Sequence, residues 1–177
     1  MTASMNTQQA AIIKATYTRA RGAAKANIRY IQHRNGLAGK KLIRELFGAE
    51  GGMERLEAYR MIDDADKGTV FFRIIISPPQ IEESHTLNLA AITSQTMLHL
   101  AERIGKEVPY IAATHAADHS PYVHVHCLAL VKGRLGREDF SALRETAAQV
   151  ALEQQRERDR QQEQQQQREG GELALQR

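Results

Sequence analysis

At 177 residues the chain is long enough for one domain with a substantial core, and 42% hydrophobic composition supports that core. No apolar run reaches the length of a membrane span and no signal-peptide pattern opens the chain, so membrane insertion is not expected. A single cysteine rules out an intrachain disulfide and suits the cytoplasm, while the net charge of +3 is modest.

Residues 1–9 are polar and are expected to be disordered, with a domain over 10–152 and a separate tail over 153–177. Ala11 to Thr18 is rich in β-branched residues and reads as a first strand. A helix is predicted from about Ala23 to Arg34, ended by Asn35-Gly36, with Ala20, Ala24, Ile28 and Ile31 as its apolar stripe. Tyr30 lies off that stripe among Lys25, Arg29, His33 and Arg34, as either a surface residue or a reactive one. Charge is unevenly spread here: Lys14 to Arg44 holds nine Lys and Arg and no Asp or Glu. Such a block is either a phosphate-binding surface or a solvated basic face.

Lys41 to Phe47 is expected to form a short strand closed by Gly48 and Gly51-Gly52, and Met53 to Ala65 a short amphipathic helix. Thr69 to Ile76 is nearly all apolar and predicts a central strand covered on both faces, stopped by Pro78-Pro79. Ser84 is read as the N-cap of a long helix ending at Gly105, its inner face formed by Leu87, Ala90, Ala91, Ser94, Met97, Leu98, Ala101 and Ile104. Val108 to Thr114 is the next strand, and it delivers His115.

Four of the seven histidines fall between His115 and His126. Asp118, Ser120 and Pro121 signal a turn, after which Tyr122 to Val131 is expected to pair back as a hairpin. Residues two apart in a strand share a face, so Tyr122, His124 and His126 project together while Val123, Val125 and Cys127 face the opposite layer. With His115 brought alongside, three imidazoles can hold a metal ion and leave positions open for substrate. The bland alternative is a set of polar residues on the wet face of a strand. His119 reads as a loop residue rather than a ligand.

From about Arg137 a helix resumes, with Phe140, Leu143, Ala147, Val150 and Ala151 able to pack. Beyond Leu152 the stripe vanishes into Gln, Arg and Glu, which predicts a solvated helix, a disordered tail or a partner-binding extension. No phosphate-loop motif supports an ATP-driven function. The order of elements describes an α+β domain with a central antiparallel sheet and helices packed mainly on one face.

Three blocks over roughly residues 10–145 resemble the nuclease domain of the VirD2-type relaxases, within the wider His-hydrophobic-His endonucleases. Ala24 to Gly36 is similar to the first motif, with a tyrosine ahead of basic residues and glycine; Phe72 to Pro78 resembles the central strand; Tyr110 to Val131 resembles the histidine motif. The resemblance implies a single-strand DNA nickase for plasmid or mobile-element transfer or replication. Tyr30 would attack a backbone phosphate and become linked to the DNA 5′ end. His115, His124 and His126 would hold a divalent ion, Mg²⁺ or Mn²⁺, and Asp118 would orient a ligand imidazole or touch the ion through water. Lys25, Arg29 and Arg34, with Lys40 and Lys41 of the same basic block, would hold the phosphates of single-stranded DNA at a transfer or replication origin. The tail would serve accessory relaxosome or secretion proteins.

One departure concerns the ligands. In the family the histidine pair directly follows the proline, which would place Tyr122 and His124 at those positions and leave His126 two residues beyond. Either the pair has moved by one two-residue step or a tyrosine has replaced a ligand; the shared strand face favours the step. The family's larger C-terminal regions have no counterpart here. The expectation is therefore a minimal nickase, with a catalytically degenerate single-stranded DNA-binding module as the alternative.

Overall fold

The structure, a computed structural model, describes residues 10–36, 39–79, 86–115 and 123–175, with side chains as far as 170. Six strands and four helices follow in the order β1 (Ile12–Thr18), α1 (Arg21–His33), β2 (Leu46–Gly48), β3 (Gly51–Met53), α2 (Arg55–Asp63), β4 (Thr69–Ser77), α3 (Leu89–Ile104), β5 (Tyr110–His115), β6 (His124–Lys132) and α4 (Arg137–Leu175). The strands form one sheet in the order β1-β4-β6-β5-β2-β3, and every neighbouring pair is antiparallel. The α+β class and the antiparallel sheet are as the sequence predicts.

Alternation along the strands divides the core in two. Val70, Phe72, Ile74 and Ile76 of β4, with Val125, Cys127, Ala129 and Val131 of β6, pack beneath α3 and α4. Phe71 of β4, with Leu128 and Leu130 of β6, packs on the other face beneath α1 and α2. Most of the helical length therefore lies on one face, and the shorter pair partly covers the second. Each fully buried Ile or Leu contributes about 1.5–3 kcal/mol through removal of its surface from water.

Several local expectations change. The strand predicted over Lys41 to Phe47 is a three-residue β2, and Gly51-Gly52 belongs to β3 rather than closing a strand. Gly48 is required where β2 crosses β5: a Cβ there would lie 2.9 Å from the Tyr110 carbonyl oxygen. α3 is capped by Asn88, whose side chain accepts from the Ala91 N–H; the predicted cap, Ser84, lies outside the described residues. Its buried face is Leu89, Ile92, Thr93, Thr96, Met97 and Leu100, whereas Ala90 and Leu98 are exposed. The buried stripe is thus rotated around the helix from the predicted one, toward the side that carries Ile92, Thr93, Thr96 and Leu100. Gly105 does end α3, in the left-handed conformation with φ 65°. Ala20, assigned to the stripe of α1, is exposed because α1 begins only at Arg21.

β4 lies between β1 and β6, but it is not covered along its whole length. Arg73 is exposed and Ile75 half-buried on the face that α1 and α2 cover only in part. α4 packs through Leu143, Ala147, Ala148 and Ala151 and then continues as a solvated helix, every residue from 161 to 170 being exposed. Pairs one turn apart, such as Gln155 with Asp159 and Gln165 with Glu169, hydrogen-bond along it. Among the described residues no helix is long and apolar enough to cross a membrane.

Candidate metal centre and adjoining groove

β5 and β6 pair so that His115 lies directly opposite His124, and Ala113 opposite His126. Directly opposed residues share a face, so all three imidazoles project toward the α1 side. Ring centroids are 4.3 Å apart for His115 and His126, 5.1 Å for His124 and His126, and 5.3 Å for His115 and His124. One ligand nitrogen from each lies within 4.8 Å of the others, a spacing that one metal ion can bridge.

The tautomer of His115 follows from its neighbour. Its Nε2 lies 2.9 Å from the Ile31 carbonyl oxygen of α1, and a carbonyl only accepts, so Nε2 carries the proton. In the neutral ring that leaves Nδ1 with the lone pair, the arrangement by which backbone carbonyls orient metal-binding histidines. His126 presents a buried Nε2 with no hydrogen-bond partner among the described residues. Burial, then the nearness of His115 and His124 and of Arg34 and Arg44, pushes its pKa down to about 3. A neutral imidazole with a buried, unpartnered ring nitrogen fits a metal ligand. Cys127, next along β6, faces the opposite layer, where burial raises its thiol pKa and its sulfur lies 3.9 Å from that of Met97.

Tyr30 stands on α1 beside this cluster. Its ring meets that of His126 edge-on with centroids 6.4 Å apart, and it is half exposed. The Arg34 guanidinium lies 5.7 Å from the Tyr30 ring centroid, one helical turn on, within cation–π range. The chain beyond α1 is fixed by Arg44, which is 9% exposed and donates from its guanidinium to the Arg34 carbonyl at 2.6 Å.

A groove of about 340 Å³ opens next to Tyr30 and His126, lined also by Lys14, Thr16, Asn27, Arg34 and Arg73. β1 and β4 assemble it, since Lys14 pairs with Ile75 and Thr16 with Arg73, putting all four on the histidine face. Arg34 was expected at a DNA surface and lines this groove. Lys25 does not: it forms an ion pair with Asp63 of α2 at 2.6 Å and lies over the Tyr59 ring. Arg29 is exposed on α1, and Lys40 and Lys41 are exposed in the connection to β2; none of the three lines the groove. Asp118, His119 and Tyr122 lie outside the described residues.

Sequence reasoning missed Arg73, and it passed over Lys14 within the basic block. Arg73 has the same strand parity as Ile75, so alternation along β4 was the available signal. No family model matches the chain, and neither does any curated protein or any solved structure.

Proposed function

We propose that this chain is a metal-dependent nickase of single-stranded DNA, with Tyr30 as nucleophile and His115, His124 and His126 as the ligands of a divalent ion. The observation that carries this reading is the half-exposed Tyr30 ring set against His126, at the head of a groove that holds Arg34, Arg73 and Lys14. The buried, unpartnered Nε2 of His126 supports a resident ion, and three imidazole donors suit Mn²⁺ better than Mg²⁺, which prefers oxygen. When bound, the ion supplies a Lewis acid for an oxygen of the scissile phosphate.

The residues divide the remaining work. Arg34, Arg73 and Lys14 would hold flanking phosphates and keep the strand in the groove. The Tyr30 oxygen forms a bond to phosphorus, the phosphorus–O3′ bond breaks, and the phenolic proton passes through solvent to the departing 3′ oxygen. The products are a 5′-phosphotyrosine and a free 3′ hydroxyl. One phosphodiester replaces another, so no nucleotide fuel is needed, and the sequence contains no phosphate-loop motif. This reading places the protein in the cytoplasm, acting at a transfer or replication origin. The distal part of α4, about 35 Å long over residues 153–175, would reach accessory proteins.

The test is adduct formation. Labelled single strands incubated with the protein and Mn²⁺ should yield a band that survives denaturation, and peptide mapping should place the nucleotide on Tyr30. Tyr30→Phe should keep DNA and metal binding and form no adduct. Adduct on Tyr17, Tyr59, Tyr110 or Tyr122 would overturn the assignment of the nucleophile. Strand binding without any adduct would leave a binding module.

A further inference from the structure

β1 is an edge strand, and its two sides line two different grooves. On the histidine side are Lys14 and Thr16; on the other, Tyr17 projects beside Phe72, with which it pairs in register. The second groove, about 320 Å³, runs between the end of β1 and the start of α4. Its floor is aromatic: Tyr17 lies 5.8 Å from Phe72, and Phe72 lies 6.2 Å from Phe140, between ring centroids. Phe72 is nearly buried, yet Tyr17 is 62% exposed. Arg19 and Arg134 line the same groove, and neither has a hydrogen-bond or ion-pair partner among the described residues. Among the described residues no carboxylate lines it. Ala15 and Thr16 line both grooves, which therefore meet over the edge of β1.

An exposed ring flanked by two unpaired guanidiniums suits one kind of occupant. A nucleobase gains from stacking on tyrosine, and its phosphates gain from the arginines. We propose that this groove is a second contact for single-stranded DNA, in which a base of the strand leaving the histidine-side groove stacks on Tyr17 while Arg19 and Arg134 hold its phosphates. The inference rests on the nickase reading only in that the strand occupies the first groove; it needs no cleavage.

Binding to strands of about 6 and about 16 nucleotides, measured by fluorescence anisotropy without metal, separates the contacts. Tyr17→Ser should weaken the longer strand by about 5- to 140-fold and leave the shorter nearly unchanged, while Tyr17→Phe should bind both like wild type. Arg19→Gln with Arg134→Gln should lower the slope of log K against log salt by about 1.4 for the longer strand alone. A photoreactive base placed beyond the first groove should crosslink to Tyr17. Tyr17 is exposed, so the variants should melt like wild type; a Tyr17→Ser that does not would leave the arginine pair and the crosslink as the decisive readings. Unaltered affinity and slope in all variants, while Lys14→Gln and Arg73→Gln lose binding, would overturn this inference and leave the nickase reading standing. A wild type that binds no single strand would overturn both.

Discussion

The two faces of the sheet are made by the same strands and treat their residues in opposite ways. Along β6, Val125, Cys127, Ala129 and Val131 are sealed under α3 and α4, while His124 and His126 alternate with them toward the other side. That side is closed over Phe71, Ile111, Ala113, Leu128 and Leu130, where α1 and α2 sit. At its open end it carries His124, His126, Arg73 and Lys14. One face therefore spends its area on burial, and the other leaves part of its area uncovered, where polar groups keep access to solvent and to a ligand. Sites of chemistry are expected where a rigid, well-packed layer supports polar groups from behind.

Breaking the sealed face should cost most. Leu100 of α3 is fully buried, so Leu100→Ala should lower unfolding free energy by about 2–5 kcal/mol in a urea titration. Arg73→Ala, exposed on the opposite face, should stay within about 0.5 kcal/mol of wild type. Equal losses in the two variants would mean that the faces do not differ as described.

The next effect is on the proposed metal site. His126→Ala should weaken Mn²⁺ binding by more than about 100-fold in calorimetry, since changes merely behind a ligand already cost 10–100-fold. The metal-free fold should survive, because burial keeps the His126 ring neutral at neutral pH and its removal deletes no charge. Unchanged affinity would remove His126 from the ligand set.

How much of this was legible depended on distance along the chain. The histidine face followed from period-two alternation between His124 and His126, a signal contained in three residues. Gly105 was legible because a left-handed helix end selects glycine locally. The groove was not, because its cations come from β1, α1 and β4, and only the pairing of Lys14 with Ile75 and Thr16 with Arg73 brings them together. Ser84 and Asn88 are both good caps by residue type, so local sequence does not choose between them; the structure caps α3 at Asn88, whose side chain accepts from the Ala91 N–H. Arg44 was read as one cation of a block, and its near-complete burial against the Arg34 carbonyl is a tertiary fact.

The smallest effect separates two kinds of lysine in one basic stretch. Lys14 lines the groove, whereas Lys25 meets Asp63, 38 residues away on α2. Pooling them as one phosphate surface was natural from sequence, since a carboxylate so distant gives no local sign. Lys14→Gln with Arg73→Gln should lower the salt slope of single-strand binding by about 1.4, or about 0.7 for each lost contact. Lys25→Gln should leave both slope and affinity as they are. Its cost should fall on stability instead, and be slight: both partners are partly exposed, at 31% and 51%, so solvent screens the pair and the loss should lie between 0 and about 1 kcal/mol. A double-mutant cycle with Asp63→Asn isolates that coupling from each residue's other contacts, including that of Lys25 with the Tyr59 ring. A lower salt slope in Lys25→Gln would show that the lysine leaves Asp63 for DNA phosphate, and the DNA surface would then extend along α1 beyond Arg34.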